Sequence, residues 1–285
     1  ERFFIEKRNP SGEQIWQIAI EAECNALAFD DNGRIHVAGF YGNTQGPPPT
    51  YGSTDFADRT DHAYLGCFDE SGSPLWHKAW GPSGDFTQTD SRVRMAEVPF
   101  AISESIILDL SGRIIVGGFF AGSIDFNPDS QSKIVNADLM QSDYFISVFE
   151  PNGEFIESFN WEKGRYESGL KIAVDSNNNI IAGGESTISS EESGLENPNE
   201  IFSVNKFSPS GDLIWTRTWT SEVGILMNSL AVDENDSIYI VGSFMGEVDF
   251  NPGEEAELRL STTRAGILQP TGDAFLIKIN QDGNF

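Results

Sequence analysis

The stretch "LDLSGRIIVGGF", Leu108 to Phe119, decides the fold. It reads as the end of an apolar strand, an acidic turn, a second apolar strand and a glycine. The same spelling recurs as "FDDNGRIHVAGF" from Phe29, "VDSNNNIIAGGE" from Val174 and "VDENDSIYIVGS" from Val232. Counted from the leading aspartates Asp30, Asp109, Asp175 and Asp233, a glycine falls nine residues on each time: Gly39, Gly118, Gly184 and Gly242. Short β-branched and aromatic runs around turns of Asp, Asn, Ser and Gly predict β-hairpins, because these residues tolerate positive φ or hydrogen-bond their own backbone.

A second pattern alternates with the first: "FFIEKRNPSGEQIW", "AYLGCFDESGSPLW", "YFISVFEPNGEFIE", "FSVNKFSPSGDLIW" and finally "AFLIKINQDGNF". Its turn glycines are Gly12, Gly72, Gly153, Gly211 and Gly283, spaced by 60, 81, 58 and 72 residues. Four residues beyond three of them stands a tryptophan, Trp16, Trp76 or Trp215, with Glu157 as the exception. Eight beyond sit Trp80, Trp161 and Trp219. With the first hairpin named a–b and the second c–d, the chain runs c–d, then three full a–b–c–d sets, then a–b–c.

A recurring four-stranded unit is the signature of an all-β fold, a β-propeller of four-stranded antiparallel blades. One such sheet has two apolar faces, so blades must pack face to face, with the tryptophans in the seams. The expected segments are a c–d half blade at 1–20, blades at 21–80, 81–161 and 162–219, and a blade lacking its last strand at 220–285. About five blades are thus represented, with the first and last incomplete. Unfinished sheets leave apolar edges, so the strand count predicts a part of a longer polypeptide and a larger closed ring. The lack of a leading Met points the same way.

The period, the "VDENDSIYIVGSF" strand pair, the "VDFNPG" segment and the "AFLIKINQDGN" hairpin resemble the bacterial repeats of seven-bladed β-propeller type abbreviated SBBP. The resemblance spans the chain and is weakest in the third full repeat, where "GLENPNE" replaces the Asp-Phe-Asn-Pro segment. It implies the fold and a secreted or cell-surface location in Gram-negative bacteria, often within large exported chains. It implies no shared catalytic residues.

Asp and Glu outnumber Lys and Arg by 44 to 18, a formal charge of −26. Such a surface repels phosphate backbones and argues against nucleic acid as a partner. No apolar run reaches the roughly 20 residues of a membrane helix. Cys24 and Cys67 lack metal-ligand spacing and read as two small buried thiols, with a disulfide as the alternative.

In an up-and-down sheet, the a–b and c–d turns lie at one end and the b–c and d–a connections at the other. The first set is uniformly tight and the second long, as in "YGNTQGPPPTYGSTDFADRTDH" after Phe40. Long connections are where binding residues concentrate, so the sequence predicts a plain end and a ligand-facing end. Tyr41, Tyr51 and Phe86 are the aromatic candidates there for stacking on sugar rings.

Two b–c connections open alike, with "GSIDFNPD" at Gly122 to Asp129 and "GEVDFNPG" at Gly246 to Gly253; "GSTDF" at Gly52 to Phe56 is a partial copy. One reading is structural: Phe126 and Phe250 plug a seam, Asp125 and Asp249 cap backbone amides, and Pro128 and Pro252 redirect the chain. The other is calcium, with Asp125, Asn127, Asp249 and Asn251 supplying hard oxygen ligands. A device repeated once per blade is more easily a blade part than a site. "DSNNN" at Asp175 to Asn179 lacks the glycine and glutamate of an EF-hand and reads as a hairpin turn.

His36, His62 and His77 do not repeat and have no motif around them; His62, beside Asp61 and Asp58, reads as part of a solvated loop. No nucleophile elbow is present. The expectation is a non-catalytic extracellular binding module or scaffold for protein or glycan ligands, within a larger exported assembly and without a firm cofactor. The alternative is a propeller hydrolase or lyase acting on extracellular polysaccharide.

Overall fold

The computed structural model describes residues 3–20, 22–41, 61–82, 99–129, 132–138, 141–161, 168–188, 199–221, 223–251, 259–261 and 272–285. Among these every regular element is a strand. The chain forms two compact units, Glu1–Asn160 and Trp161–Phe285.

In the first unit, β1 (Phe3–Arg8) and β2 (Gln14–Ile20) form a two-stranded sheet. Next come β3 (Glu23–Phe29), β4 (Ile35–Tyr41), β5 (His62–Phe68) and β6 (Pro74–Pro82), paired antiparallel in sequence order. The third sheet joins β7 (Phe100–Leu108) and β8 (Ile114–Ala121) to β11 (Asp143–Phe149) and β12 (Phe155–Trp161). Between β8 and β11 the chain makes a small hairpin, β9 (Ser123–Asp125) and β10 (Ile134–Asn136). In the second unit, β13 (Ser168–Val174), β14 (Ile180–Ile188), β15 (Asn199–Phe207) and β16 (Leu213–Ser221) make a four-stranded sheet. Then β17 (Gly224–Val232), β18 (Ile238–Met245) and β21 (Asp273–Ile279) make a three-stranded one, and β19 (Glu247–Asp249) pairs with β20 (Arg259–Ser261). The a–b–c–d order is therefore present as antiparallel sheets, each of them open.

All nine a–b and c–d turns share one geometry. The amide of the first turn residue donates to the carbonyl four residues on, and the amide of the fourth donates back to the first carbonyl. The fourth residue has positive φ in every turn: a glycine in seven, Asn178 at 61° and Asp236 at 59° in the other two. This is a three-residue hairpin loop closed by a left-handed residue, the arrangement that matches the twist of the flanking strands. The side chain of the first residue reinforces it. Oδ1 of Asp30, Asp69, Asp109, Asp175 and Asp233, and of Asn9 and Asn280, accepts from the amides two and four residues on.

The glycine nine residues beyond each aspartate has a different cause. Gly39, Gly118 and Gly242 face irregular pairings at Cys24/Ala26, Ser103/Ser105 and Met227/Ser229. A bulge pushes a carbonyl into the space a side chain needs. A Cβ there would lie 1.7 Å from Glu23 O, 1.9 Å from Ile102 O or 2.0 Å from Leu226 O. Gly184 on β14 sits opposite the corresponding irregularity between Ser168 and Lys171.

Successive sheets within a unit bury their faces against each other. Ile20 joins Ile35, Val37, Tyr64 and Phe68 between the first two sheets. Ala38, Leu65 and Trp80 meet Ile114, Val116, Phe120 and Phe145 between the second and third. In the second unit, Phe202, Val204 and Trp219 pack with Ile240, Phe275 and Ile277. Tryptophans also lock neighbouring hairpins together. The rings of Trp16, Trp76 and Trp215 cover the turn glycines of the next sheet, Gly72, Gly153 and Gly283, leaving 2.9 to 3.2 Å for any added Cβ. The indoles of Trp16 and Trp215 donate to Glu70 O and Gln281 O, both at 3.1 Å.

Candidate functional site

The repeated Asp-Phe-Asn-Pro segment is the most distinctive feature outside the sheets, and it is a clasp. Asp125 ends β9, where its Oδ1 accepts from the amides of Asn127 (3.2 Å) and Lys133 (2.8 Å) and its Oδ2 from Ser132 Oγ (2.6 Å). Asn127 in turn accepts from the Asp129 amide at 2.9 Å. These bonds fold the chain so that Phe126, 1% exposed, drops between Phe120 (4.9 Å, edge-on) and Phe145 (5.1 Å). The second copy repeats the device. Asp249 Oδ1 accepts from the Asn251 amide at 3.0 Å, and Phe250, 2% exposed, packs on Phe244 and Phe275.

What sequence reading missed is that these segments are strands that reach across to the preceding sheet. Gly81 and Pro82 of β6 pair with Asp125 and Ile124 of β9. Lys78 on β6 makes an ion pair with Asp129 at 2.5 Å, and the other Asp129 oxygen accepts from the Phe155 amide of β12 at 3.2 Å. Lys133 donates to the Ser158 carbonyl. The hairpin thus ties the outermost strand of one sheet to the outermost strand of the next. In the second unit, Trp219 Nε1 donates to Phe250 O at 3.1 Å. The readable signal was the short alternating runs around the turn, "SID" with "IVN" and "EVD" with "RLS".

Both oxygens of Asp125 are engaged by hydrogen bonds within the protein. Among the described residues, no three His, Cys, Asp or Glu side chains converge as metal ligands. Pro252 lies outside the described residues.

The aromatic candidates fare differently. Tyr51 and Phe86 lie outside the described residues, as do Asp58 and the "GSTDF" copy. Tyr41 is 8% exposed, set edge-on to Tyr64 with ring centroids 5.0 Å apart. The expected stacking platform at Tyr41 is corrected to a core residue: its place at the end of β4 turns the ring into the seam that also holds Ile20 and Val37.

Two of the three histidines, His36 and His62, are interior groups, and His77 is half-buried. His62 is 5% exposed at the start of β5, which corrects the solvated loop expected there. It packs so closely on Gly81 that a Cβ at that position would lie 2.3 Å from its ring. His36 is wholly buried, and burial lowers its pKa against the pull of Asp30 at 3.5 Å, so it stays neutral. Burial likewise lowers His77. Cys24 and Cys67 are free thiols pushed up to about 11 by burial, too high for a reactive thiolate at neutral pH.

Most of the described charge pairs fall on turn aspartates. Burial opposes ionisation of Asp30, but the Arg34 amide and guanidinium (2.5 Å) and His36 outweigh it and lower its pKa. Asp109 pairs with Arg113 at 2.6 Å. Asp175, 4% exposed, is lowered despite burial by Lys206 at 2.8 Å and by Asn179. Asp61 differs. Burial, with Glu23 nearby, pushes it up to about 6. A cleft of about 480 Å³ in the second unit is lined by Arg217, Trp219, Phe250, Asn251, Ile279 and Phe285, among others.

No family model matches the chain, and no curated protein does. A solved structure from Bacteroides caccae, described as a protein of unknown function, is similar with a TM-score of 0.43 and 13% identity over 96% of this chain and 84% of that one.

Proposed function

We propose that the sheets are blades of a β-propeller and that the protein is a non-catalytic binding module or scaffold, engaging a protein or glycan through the end that carries the long connections. The observation that supports this is the asymmetry of the sheets that contain an a–b hairpin, between their tight turns and their b–c connections. One end is closed by three-residue turns of a single geometry. At the other end, β4 stops at Tyr41 and β5 starts at His62, β6 stops at Pro82 and β7 starts at Phe100, and β14 stops at Ile188 and β15 starts at Asn199. Variable chain on a rigid stack is where recognition evolves without cost to the core. Clasps and tryptophan locks that hold neighbouring sheets in register suit a scaffold.

On this reading the protein works outside a Gram-negative cell, the location implied by the SBBP resemblance, and the strong negative charge serves solubility there. The Asp-Phe-Asn-Pro hairpins are structural, and calcium is not their ligand. Screening the protein on a glycan array and against exported proteins, with chromatography of recovered glycans, tests the assignment. Retention without cleavage, lost when the segment 42–60 is replaced by a short linker, is expected. Shortened glycans would overturn it in favour of a hydrolase or lyase.

A further inference from the structure

The end with the tight turns also carries a groove, which the plain end expected from sequence would lack. In the first unit it runs between the β3–β4 turn and the β7–β8 turn. Its volume is about 480 Å³, and its walls are Phe29 to Asn32 with Arg34 on one side, Leu108 to Gly112 on the other, and Pro151. Leu110 stands on its rim at 72% exposure, the largest among the exposed large apolar residues described. Its position is unusual. The matching tip residues of the other a–b turns are Asp31, Ser176 and Glu234. Nothing in the turn geometry requires leucine, since the same bonds form with Asp, Ser or Glu at that place.

In the second unit the corresponding turns are bridged by hydrogen bonds. There the Ser176 amide and Oγ both donate to Asp236, at 2.8 and 2.7 Å, and bridge the two neighbouring turns. In the first unit, Gly33 and Gly112 stand at the positions of Asn178 and Asp236, and no such bridge is available. The gap therefore stays open and is lined by Leu108, Leu110 and Pro151. Exposed apolar side chains gathered around one concavity mark a recognition surface better than scattered ones do.

Charge selects the occupant. Three acidic residues, Asp30, Asp31 and Asp109, border the groove with the single cation Arg34, but the side chains of Asp30 and Asp109 are 7% and 0% exposed, so Asp31 presents the accessible carboxylate. Asp30 and Asp109 are already matched, by Arg34 and Arg113. Asp31 is exposed and has no partner among the described residues, in a chain with a formal charge of −26. We propose that this groove binds a basic peptide segment in which a bulky apolar residue is flanked by lysine or arginine. The apolar side chain packs on Leu108, Leu110 and Pro151, and a neighbouring cation pairs with Asp31. This site is separate from the long-connection end and stands or falls independently of the function proposed there.

Fluorescence anisotropy with labelled hexapeptides built on Lys-Phe-Lys, Glu-Phe-Glu and Lys-Ser-Lys cores tests it. The Lys-Phe-Lys peptide should bind, weakening as salt rises from low to physiological strength. Leu110→Ser should cut affinity at least tenfold, Asp31→Asn severalfold, and Leu276→Ser, exposed on β21 of the second unit, not at all. Leu110→Lys provides a second variant at a solvent-facing position, with circular dichroism confirming the fold. Equal binding of the acidic peptide, or undiminished binding by Leu110→Ser and Leu110→Lys, would overturn the proposal. So would sedimentation showing a dimer that Leu110→Ser abolishes, because the groove would then serve a second copy.

Discussion

Truncating Phe126 to alanine separates the structural account of the Asp-Phe-Asn-Pro clasp from the calcium account. The ring is 1% exposed and touches Phe120 and Phe145 at centroid distances of 4.9 and 5.1 Å. Removing a fully buried phenylalanine costs about 3–5 kcal/mol through lost transfer energy and the cavity left behind, and the two ring pairs place it toward the upper part of that range. Phe126→Leu keeps most of the volume and should cost less than half as much. Asp125→Ala removes an acceptor of three hydrogen bonds whose donors are partly exposed and can turn to water, so about 1–3 kcal/mol is expected. Urea unfolding followed by tryptophan fluorescence, in calcium and in EDTA, measures all three. The reasoning fails if Phe126→Ala loses under about 1 kcal/mol against that expected range, or if the Asp125→Ala deficit appears only when calcium is present.

Gly118→Ala places a methyl 1.9 Å from Ile102 O; backbone must move, and a loss of about 2 kcal/mol or more in a thermal or urea melt is expected. Asp175→Ala leaves the buried Lys206 without its carboxylate at 2.8 Å and should cost about 3–5 kcal/mol, whereas the double variant Asp175→Leu/Lys206→Met should recover most of it. Asp61 has a folded pKa of about 6, above its unfolded value. Its contribution is therefore fully present at low pH and lost as pH climbs from about 4 to 6. Asp61→Asn should then gain about 1–2 kcal/mol over the parent at pH 7 to 8, the shift being discounted for the partly solvated carboxyl, and nothing at pH 4. The turn aspartates act in the opposite sense: Asp30, Asp175 and Asp233 have lowered folded pKa values, so their stabilisation is lost as pH falls below the ordinary carboxylate range. A pH series of thermal melts on the parent, the Asp61→Asn protein and an Asp30→Asn protein reads both slopes.

The order of strands, the antiparallel pairing and the tight turns were determined by the sequence, because they are local. An aspartate capping amides two and four residues on, and a glycine, Asn178 or Asp236 accepting positive φ, need only their own hairpin. Those signals repeat, so they could be counted. The burial of Trp80 and Trp219 also follows from that periodicity. Tertiary structure decided why Gly39, Gly118 and Gly242 cannot carry a side chain, since the obstructing carbonyl belongs to a bulge in the neighbouring strand. It decided that Phe126 and Phe250 sit in clasps, because the partners Phe145 and Phe275 lie in strands further along the chain. It turned Tyr41 and His62 inward, where residues at a strand end beside a long connection read as exposed, and it left Leu110 outward in a turn whose repeats carry polar tips. Hairpin chemistry depends on distances of a few residues along the chain; burial and recognition depend on which sheet faces arrive opposite one another, and single-strand patterns do not carry that information.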